Sequence, residues 1–275
     1  SASYYQFPIG EVMHSAIPTL LRQGKPYNLL ALTWKIIDQK AEDKLKRSLK
    51  QQDAYKILKL HPHGTAETIL NLSGVETATL KALEKKDIIQ CELEPQNFSP
   101  EPVQLAQMPL TANDEQKVAI QHIVKSLKKY QAFLLDGLTG SGKTEVYLQA
   151  MYEVLKQGKQ VLVLVPEIGL TPQTVSRFQS RFHCNIALLH SGLNDSKRLQ
   201  AWQHAQTGKA SIIIGTRSAL FTPMPNLGLI ILDEEHDLSF KQHEGFRYHA
   251  RDVAMYRAHL HKCPIVLGSA TPSID

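Results

Sequence analysis

The run Gly137-Leu138-Thr139-Gly140-Ser141-Gly142-Lys143-Thr144 carries the spacing G-x-x-x-x-G-K-[ST]. Glycines at these places let the backbone turn tightly, so that successive N–H groups converge on phosphate oxygens. Lys143 would then set its ammonium on the β- and γ-phosphates of a nucleotide, and the Thr144 hydroxyl would ligate Mg²⁺. A second run, Asp233-Glu234-Glu235-His236, supplies the missing half of that chemistry. Asp233 would hold the magnesium shell through water, and Glu234 would orient and deprotonate the attacking water. Either run alone is a Gly-rich turn or a solvated acidic turn; the two together point to hydrolysis of a nucleoside triphosphate. Ser269-Ala270-Thr271 offers two hydroxyls that could bridge the acids to a neighbouring surface, or simply a Ser/Thr turn before Pro272.

These residues need a frame. The apolar run 132–135 reads as a strand emptying into the glycine turn, and 145–156 as a helix whose N-terminal dipole faces the anion. Further strands are expected at 161–165, 186–189, 212–215, 229–233 and 265–267, with helices at 172–182, 196–207 and 249–261 between them. Such alternation predicts an α/β fold, a parallel sheet with helices on both faces. Ligands collect at the carboxyl ends of such strands, where the glycine turn, the acids and the hydroxyl pair all fall. Asn113 caps a helix whose inner face is Ala119 or Ile120, Ile123 and Leu127.

Upstream, 10–23 reads as one helix ended by Gly24-Lys25-Pro26, and 1–24 as the tail of an earlier domain. A strand at 29–37 is followed by a basic helix from Leu45 with Lys46, Arg47, Lys50, Lys56 and Lys59, its inward positions Leu49, Tyr55 or Ile57, and Leu60. Thr65 then caps a short helix through Leu72. Ser73–Glu76 offers a turn and a capping box, a helix runs to about Lys86, and 88–93 alternates like a strand. That outline predicts a winged helix over 25–94, which would bind DNA through Lys81, Lys85 and Lys86 or serve as a packing module with a solvated lysine face. The Pro-containing segment 95–110 reads as a linker, leaving 111–275 for the nucleotide-binding domain.

With 275 residues the chain can build two cores. It has no apolar run of transmembrane length and no visible signal peptide, so the expectation is a cytoplasmic protein without membrane contact. Cys91, Cys184 and Cys263 are far apart and read as free thiols. The net charge of +5 is a mild sign of a polyanionic partner. His259-Leu260-His261-Lys262-Cys263 could be written as a metal string, but spans a helix end where cations suit the dipole.

Taken together, Gly137–Thr144, Val165-Pro166-Glu167-Ile168-Gly169-Leu170-Thr171, His190-Ser191-Gly192-Leu193-Asn194-Asp195, Gly215-Thr216-Arg217-Ser218-Ala219-Leu220-Phe221, Asp233–His236 and Ser269–Thr271 resemble the motifs of superfamily-two, DEAD/DEAH-like helicases. More specifically, through Asp237–Arg251 and Tyr4-Tyr5-Gln6-Phe7-Pro8-Ile9-Gly10-Glu11, the chain is similar to the bacterial primosomal replication-restart helicases.

The resemblance implies a RecA-like P-loop domain that binds ATP with Mg²⁺ and acts on forked and single-stranded DNA. Gln116 would contact adenine, although a helix cap is its other reading. Pro166, Thr171, Thr216 and Arg217 would line the single-strand path, Arg217 being otherwise an ordinary surface cation. In the loop after the acids, Phe240, Phe246 and Tyr248 would offer stacking faces and Lys241, Arg247 and Arg251 charge; pinning of the aromatics under the sheet is the alternative. Glu235, His236, Ser269 and Thr271 would couple DNA to hydrolysis.

The family also implies a monomer meeting single-strand-binding and primosome proteins, and 3′-to-5′ translocation at stalled forks. Its second motor domain with the arginine that reaches the γ-phosphate, and its zinc-binding cysteines, have no counterpart here. The expectation is therefore an internal piece that binds ATP–Mg²⁺ without separating strands, with hydrolysis slow or absent. A translocase that remodels nucleic acid without unwinding it, or a winged-helix regulator that senses ATP, are the competing readings.

Overall fold

The computed structural model describes residues 7–24, 30–39, 41–45, 48–60, 65–66, 70, 73–95, 103–138 and 140–271. Thr139, Lys46 and Arg47 lie outside the described residues. The chain forms two compact units, 27–97 and the combination of 1–26 with 98–275.

The stretch expected as one helix is two, α1 (Ile9–Ala16) and α2 (Thr19–Arg22). Pro18 separates them: it offers no N–H and forces its neighbour Ile17 into an extended conformation at φ −94°, ψ 134°. Val12 of α1 is buried in the same core as the large sheet, and the Phe7 ring meets Phe246 at 5.5 Å.

In the smaller unit, β1 (Leu30–Ile36) is the central strand of an antiparallel sheet. In the chain, α3 (Leu49–Lys59) separates it from its partner β2 (Thr65–Ala66), and α4 (Thr77–Glu84) separates β2 from the other partner, β3 (Ile89–Pro95). The strand after the helices thus returns to the one before them, with Trp34 opposite Cys91. Thr65 pairs with Trp34 as strand instead of capping a helix. Glu76 precedes α4 without any side-chain cap, so no capping box forms there.

The buried stripe of α3 is Ala54, Tyr55 and Leu58, while Leu49 and Leu60 are 78% and 77% exposed. The inward face was thus misphased at both ends, because Leu49 and Leu60 occupy the terminal turns, away from the Trp34–Leu80–Leu83–Ile89 core. Of the lysines on this helix, Lys50 pairs with Glu76, Lys56 with Asp53 and Lys59 with Glu42. Each pair is solvent-exposed and adds little stability.

The larger unit opens with β4 (Gln104–Leu105) and α5 (Asp114–Lys125). Strand β5 (Gln131–Asp136) leads to α6 (Lys143–Leu155) and β6 (Gln160–Leu164) to α7 (Pro172–Arg181). The short β7 (Phe182–His183) pairs antiparallel with β4. Then come β8 (Ile186–Leu189), α8 (Asp195–Gln206), β9 (Ile212–Gly215), β10 (Leu227–Leu232), α9 (Ala250–His261) and β11 (Pro264–Ser269).

Six of these strands form one sheet in the order β5-β11-β10-β6-β9-β8, parallel throughout. Alternate residues feed two cores: Leu162, Ile213, Ile230 and Ile265 on one face, Val163, Ile214, Ile231 and Val266 on the other. Burial on both faces explains why β6, β9, β10 and β11 read as unbroken apolar runs, whereas the edge strand β5 leaves Leu134 exposed. The parallel pairing aims all six carboxyl ends at one edge. The segment read as linker contributes to this unit as well, since Val103 is buried and Leu105 pairs with Phe182.

Candidate nucleotide site and nucleic-acid groove

At the glycine turn the chain needs a left-handed residue to pass from loop to helix, and Gly142 supplies it at φ +90° as the N-cap of α6. No side chain caps that helix, so its first N–H groups are available to an anion. The loop is tied to the neighbouring strand end by a hydrogen bond from the Gly137 N–H to the Ser269 carbonyl, 3.1 Å. Lys143 is 8% exposed, donates to the Gly137 carbonyl, and its ammonium lies 3.9 Å from Glu234 Oε1. The glycine turn and the acidic cluster are therefore one site.

Gln116 performs two tasks. Its Oε1 accepts from the Asn113 N–H at 3.0 Å while Asn113 Oδ1 accepts from the Gln116 N–H, completing a capping box for α5. Its Nε2 reaches the Ser141 carbonyl in the glycine turn at 3.2 Å. The cap thus fastens the loop to the helix that precedes β5.

The four residues after β10 face different partners. Asp233 Oδ1 accepts from the Tyr147 hydroxyl at 2.9 Å. Burial, reinforced by the charge of Glu234, raises the Asp233 carboxyl above its ordinary range, against the pull of Tyr147 and Lys143. Glu234 sits at φ +51°, a strained conformation for a residue with a side chain, of the kind that gathers at functional sites. Glu235 is buried and receives Arg251 NH1 at 3.3 Å; its N–H donates to the Gly268 carbonyl. His236 Nδ1 is 2.9 Å from the Ser269 hydroxyl, and that same hydroxyl accepts from the Thr271 N–H. The acids and the Ser269–Thr271 segment are thus in direct contact. A cavity of about 400 Å³ opens beside them, lined by Thr144, Tyr147, Pro166, Asp233, Glu234 and His236 among others.

The donors there suit magnesium. A hydroxyl at Thr144 and a carboxylate at Asp233 are hard oxygen ligands, and Mg²⁺ in such sites takes one or two protein oxygens plus phosphates and water. No cluster of three or more His, Cys, Asp or Glu able to enclose a metal occurs among the described residues. This set would serve a cation carried in with a nucleotide.

The residues expected on a nucleic-acid path do not all line one groove. Thr216, Arg217, Phe246 and Tyr248 line a groove of about 360 Å³. Pro166 lines the cavity beside the acids, and Thr171 caps α7 by accepting from the Thr174 N–H. Lys241 and Arg247 are exposed. Arg217 is committed to the loop itself, donating from NH1 to the carbonyls of Ser239 and Lys241 at 2.8 and 2.7 Å.

The stacking role expected of the aromatics is corrected. Phe240, Phe246 and Tyr248 are 0, 3 and 6% exposed. Phe246 stacks on Tyr248 at 5.1 Å, Tyr248 meets Phe221 edge-on, and Phe7 closes the cluster. Ring faces spent on one another in a core cannot receive bases. Phe246→Ala is accordingly expected to destabilise the unit by about 3–5 kcal/mol in urea melts.

Sequence reasoning passed over Tyr147, Gly268 and the buried pair Glu145–Arg181. Tyr147 lies four residues after Lys143 on α6, hence on the same helical face, and that spacing was the available signal. Arg181 donates from both terminal nitrogens to both Glu145 oxygens at 2.9 and 2.7 Å. Burial pushes the Glu145 carboxyl up, but hydrogen bonds from Arg181 and Gln149 outweigh it and hold the group below its usual range.

Residues 113–275, which contain every one of these site residues, match the family of DEAD/DEAH box helicases. The chain belongs to that family. Its whole length aligns at 44% identity with the Replication restart protein PriA of Haemophilus influenzae, covering 38% of that protein. The Bacillus subtilis Replication restart protein PriA is 41% identical over 86% of the chain and 30% of its own length. The chain thus spans less than two fifths of these relatives. Among solved structures, RecG bound to a three-way DNA junction matches 60% of the chain and 22% of its own, with a TM-score of 0.44 and 26% identity. Membership of the helicase family carries use of a nucleotide with Mg²⁺ and contact with nucleic acid as general properties. No helix among the described residues is long and apolar enough to cross a membrane.

Proposed function

We propose that this chain is the ATP-binding part of a 3′-to-5′ DNA helicase that acts at stalled replication forks. The observation that carries this reading is the approach of Lys143 to Glu234, 3.9 Å, which supports a phosphate cradle and a water-activating acid acting at one sheet edge. Lys143 would neutralise the β- and γ-phosphates. Thr144 and Asp233 would hold the magnesium, which supplies charge neutralisation on the transferring phosphate. Glu234 would take the proton from water, and Gln116 would read the nucleotide base from its position against the glycine turn.

Coupling follows a chain of contacts. Glu235 holds Arg251 at the head of α9, the loop from Phe240 to Arg251 closes through the Lys241–His249 bridge, and Arg217 fixes its backbone. A shift at the acids would therefore move the groove wall, and His236–Ser269–Thr271 would pass the same signal along β11. Lys241, Arg247 and the groove at Thr216–Arg217 would take phosphates, Thr171 and Pro166 standing at its approach. Lys241→Glu with Arg247→Glu should weaken single-strand binding at all sequences and lower its salt slope by about 1.4.

Residues 25–94 would be the winged-helix module and 111–275 the motor domain, with 1–24 and 103–110 belonging to the same compact unit as the motor. Forked and single-stranded DNA, single-strand-binding protein and primosome proteins are the partners, a monomer the assembly, and the cytoplasm the setting. The names of the relatives support the restart role. The test is ATP hydrolysis by the full-length protein against added fork, single-stranded and duplex DNA. Stimulation by fork or single strands, abolished in Lys143→Ala, is the expected result; hydrolysis indifferent to DNA, or stimulated by RNA alone, would sink the reading.

A further inference from the structure

We infer that Tyr147 is a positioning residue for Asp233, fixing the carboxylate so that its second oxygen is presented to the hydrated magnesium of the bound nucleotide. The inference rests on the nucleotide reading above and assigns a residue outside the phosphate-binding and acidic motifs to its metal. Three elements converge on a single hydrogen bond. Tyr147 comes from α6, one turn beyond Lys143, and its ring is buried at 2% exposure. Asp233 leaves the end of β10, with its Oδ1 2.9 Å from the phenol oxygen. Gly268 comes from β11, the strand paired with β10.

That glycine is where the arrangement is decided. A Cβ at position 268 would fall onto the Tyr147 hydroxyl and stand 2.9 Å from Asp233 Oδ1. Only a residue without a side chain lets hydroxyl and carboxylate meet there. An ordinary phenol keeps its proton at neutral pH, so the hydroxyl is the donor and the carboxylate the acceptor. With Oδ1 so engaged, Oδ2 is left for the metal's water shell. Tyr147, Asp233, Thr144 and Glu234 all line one cavity, so the residue belongs to the wall of the site.

Outer partners of metal-holding carboxylates set their orientation, and losing one commonly costs about 10–100-fold in metal affinity. The test is equilibrium binding of a fluorescent ATP analogue to the chain across a magnesium titration. Tyr147→Phe should raise the Mg²⁺ midpoint for nucleotide binding about tenfold, with nucleotide affinity in EDTA unchanged. A role limited to packing would lower the melting temperature and leave the midpoint alone.

Gly268→Ala, which drives the hydroxyl off the carboxylate without removing it, should shift the midpoint in the same direction and stands in if Tyr147→Phe does not fold. An unaltered midpoint in either folded variant overturns the inference while leaving the nucleotide reading intact. A wild-type chain that binds the analogue without regard to Mg²⁺ or to Lys143→Ala would overturn both.

Discussion

Glu234→Gln is expected to reduce DNA-stimulated ATP turnover of the full-length protein by about 10²–10⁴-fold, while nucleotide binding stays at or above the wild-type level. The two effects separate because the substitution removes a proton acceptor and a charge but little volume. Glu234 sits at the strained φ of +51°, 3.9 Å from the Lys143 ammonium and 3.7 Å from His236. A glutamine fits the same turn and keeps an oxygen toward Lys143, but it cannot take a proton from water. Loss of one negative charge beside the phosphates also lowers repulsion toward the incoming triphosphate. The measurement is single-turnover hydrolysis beside nucleotide binding on one preparation. Turnover within threefold of wild type would remove Glu234 from the chemistry. A regulator that only senses ATP would be indifferent to the change, so the same variant separates a motor from a sensor.

How much of this was legible beforehand depended on which physical signal a residue obeyed. Strands buried on both faces announce themselves as apolar runs, so Ile186–Leu189 and Ile212–Gly215 match their expected bounds and the remaining strands of the sheet differ at their ends. Local chemistry was equally plain: Asn113 caps α5 because its side chain bonds a backbone N–H three residues on.

Phase on a weakly amphipathic helix was not. Leu49 and Leu60 were as apolar as Leu58, and only the tertiary partner decides which is covered. The aromatics after the acids posed the hardest case. Base stacking and core packing use the same residue types, and the deciding contacts, Phe221 and Phe7 with Phe246 and Tyr248, come from segments distant in sequence. Tyr147 was hidden for the same reason, since its partner lies 86 residues further along the chain and its clearance depends on Gly268.

The buried pair Glu145–Arg181 leads to an equally large expected change in stability, with a different cause. Arg181→Ala should destabilise the larger unit by about 3–5 kcal/mol, because it leaves the Glu145 carboxylate buried without its counter-charge. The side chains are 7% and 9% exposed, so water cannot take the place of the guanidinium. The pair joins α6, which carries Lys143 and Thr144, to the end of α7, and Glu145 also accepts the Leu110 N–H at 3.1 Å.

The intact pair is nonetheless an imperfect solution, since Arg181 Nε is buried and makes no hydrogen bond. Desolvating two charges costs most of what their attraction returns, so the penalty of the single variant measures the orphaned carboxylate more than the worth of the pair. Adding Glu145→Gln to Arg181→Ala tests this division. The amide oxygen keeps the bond from Leu110 while the buried charge disappears, and the double variant should regain more than half of the lost stability. Urea melts at constant m-value give the comparison. If the double variant were as unstable as Arg181→Ala alone, the loss would be one of packed volume at the α6–α7 contact, and the charge would have no part in it.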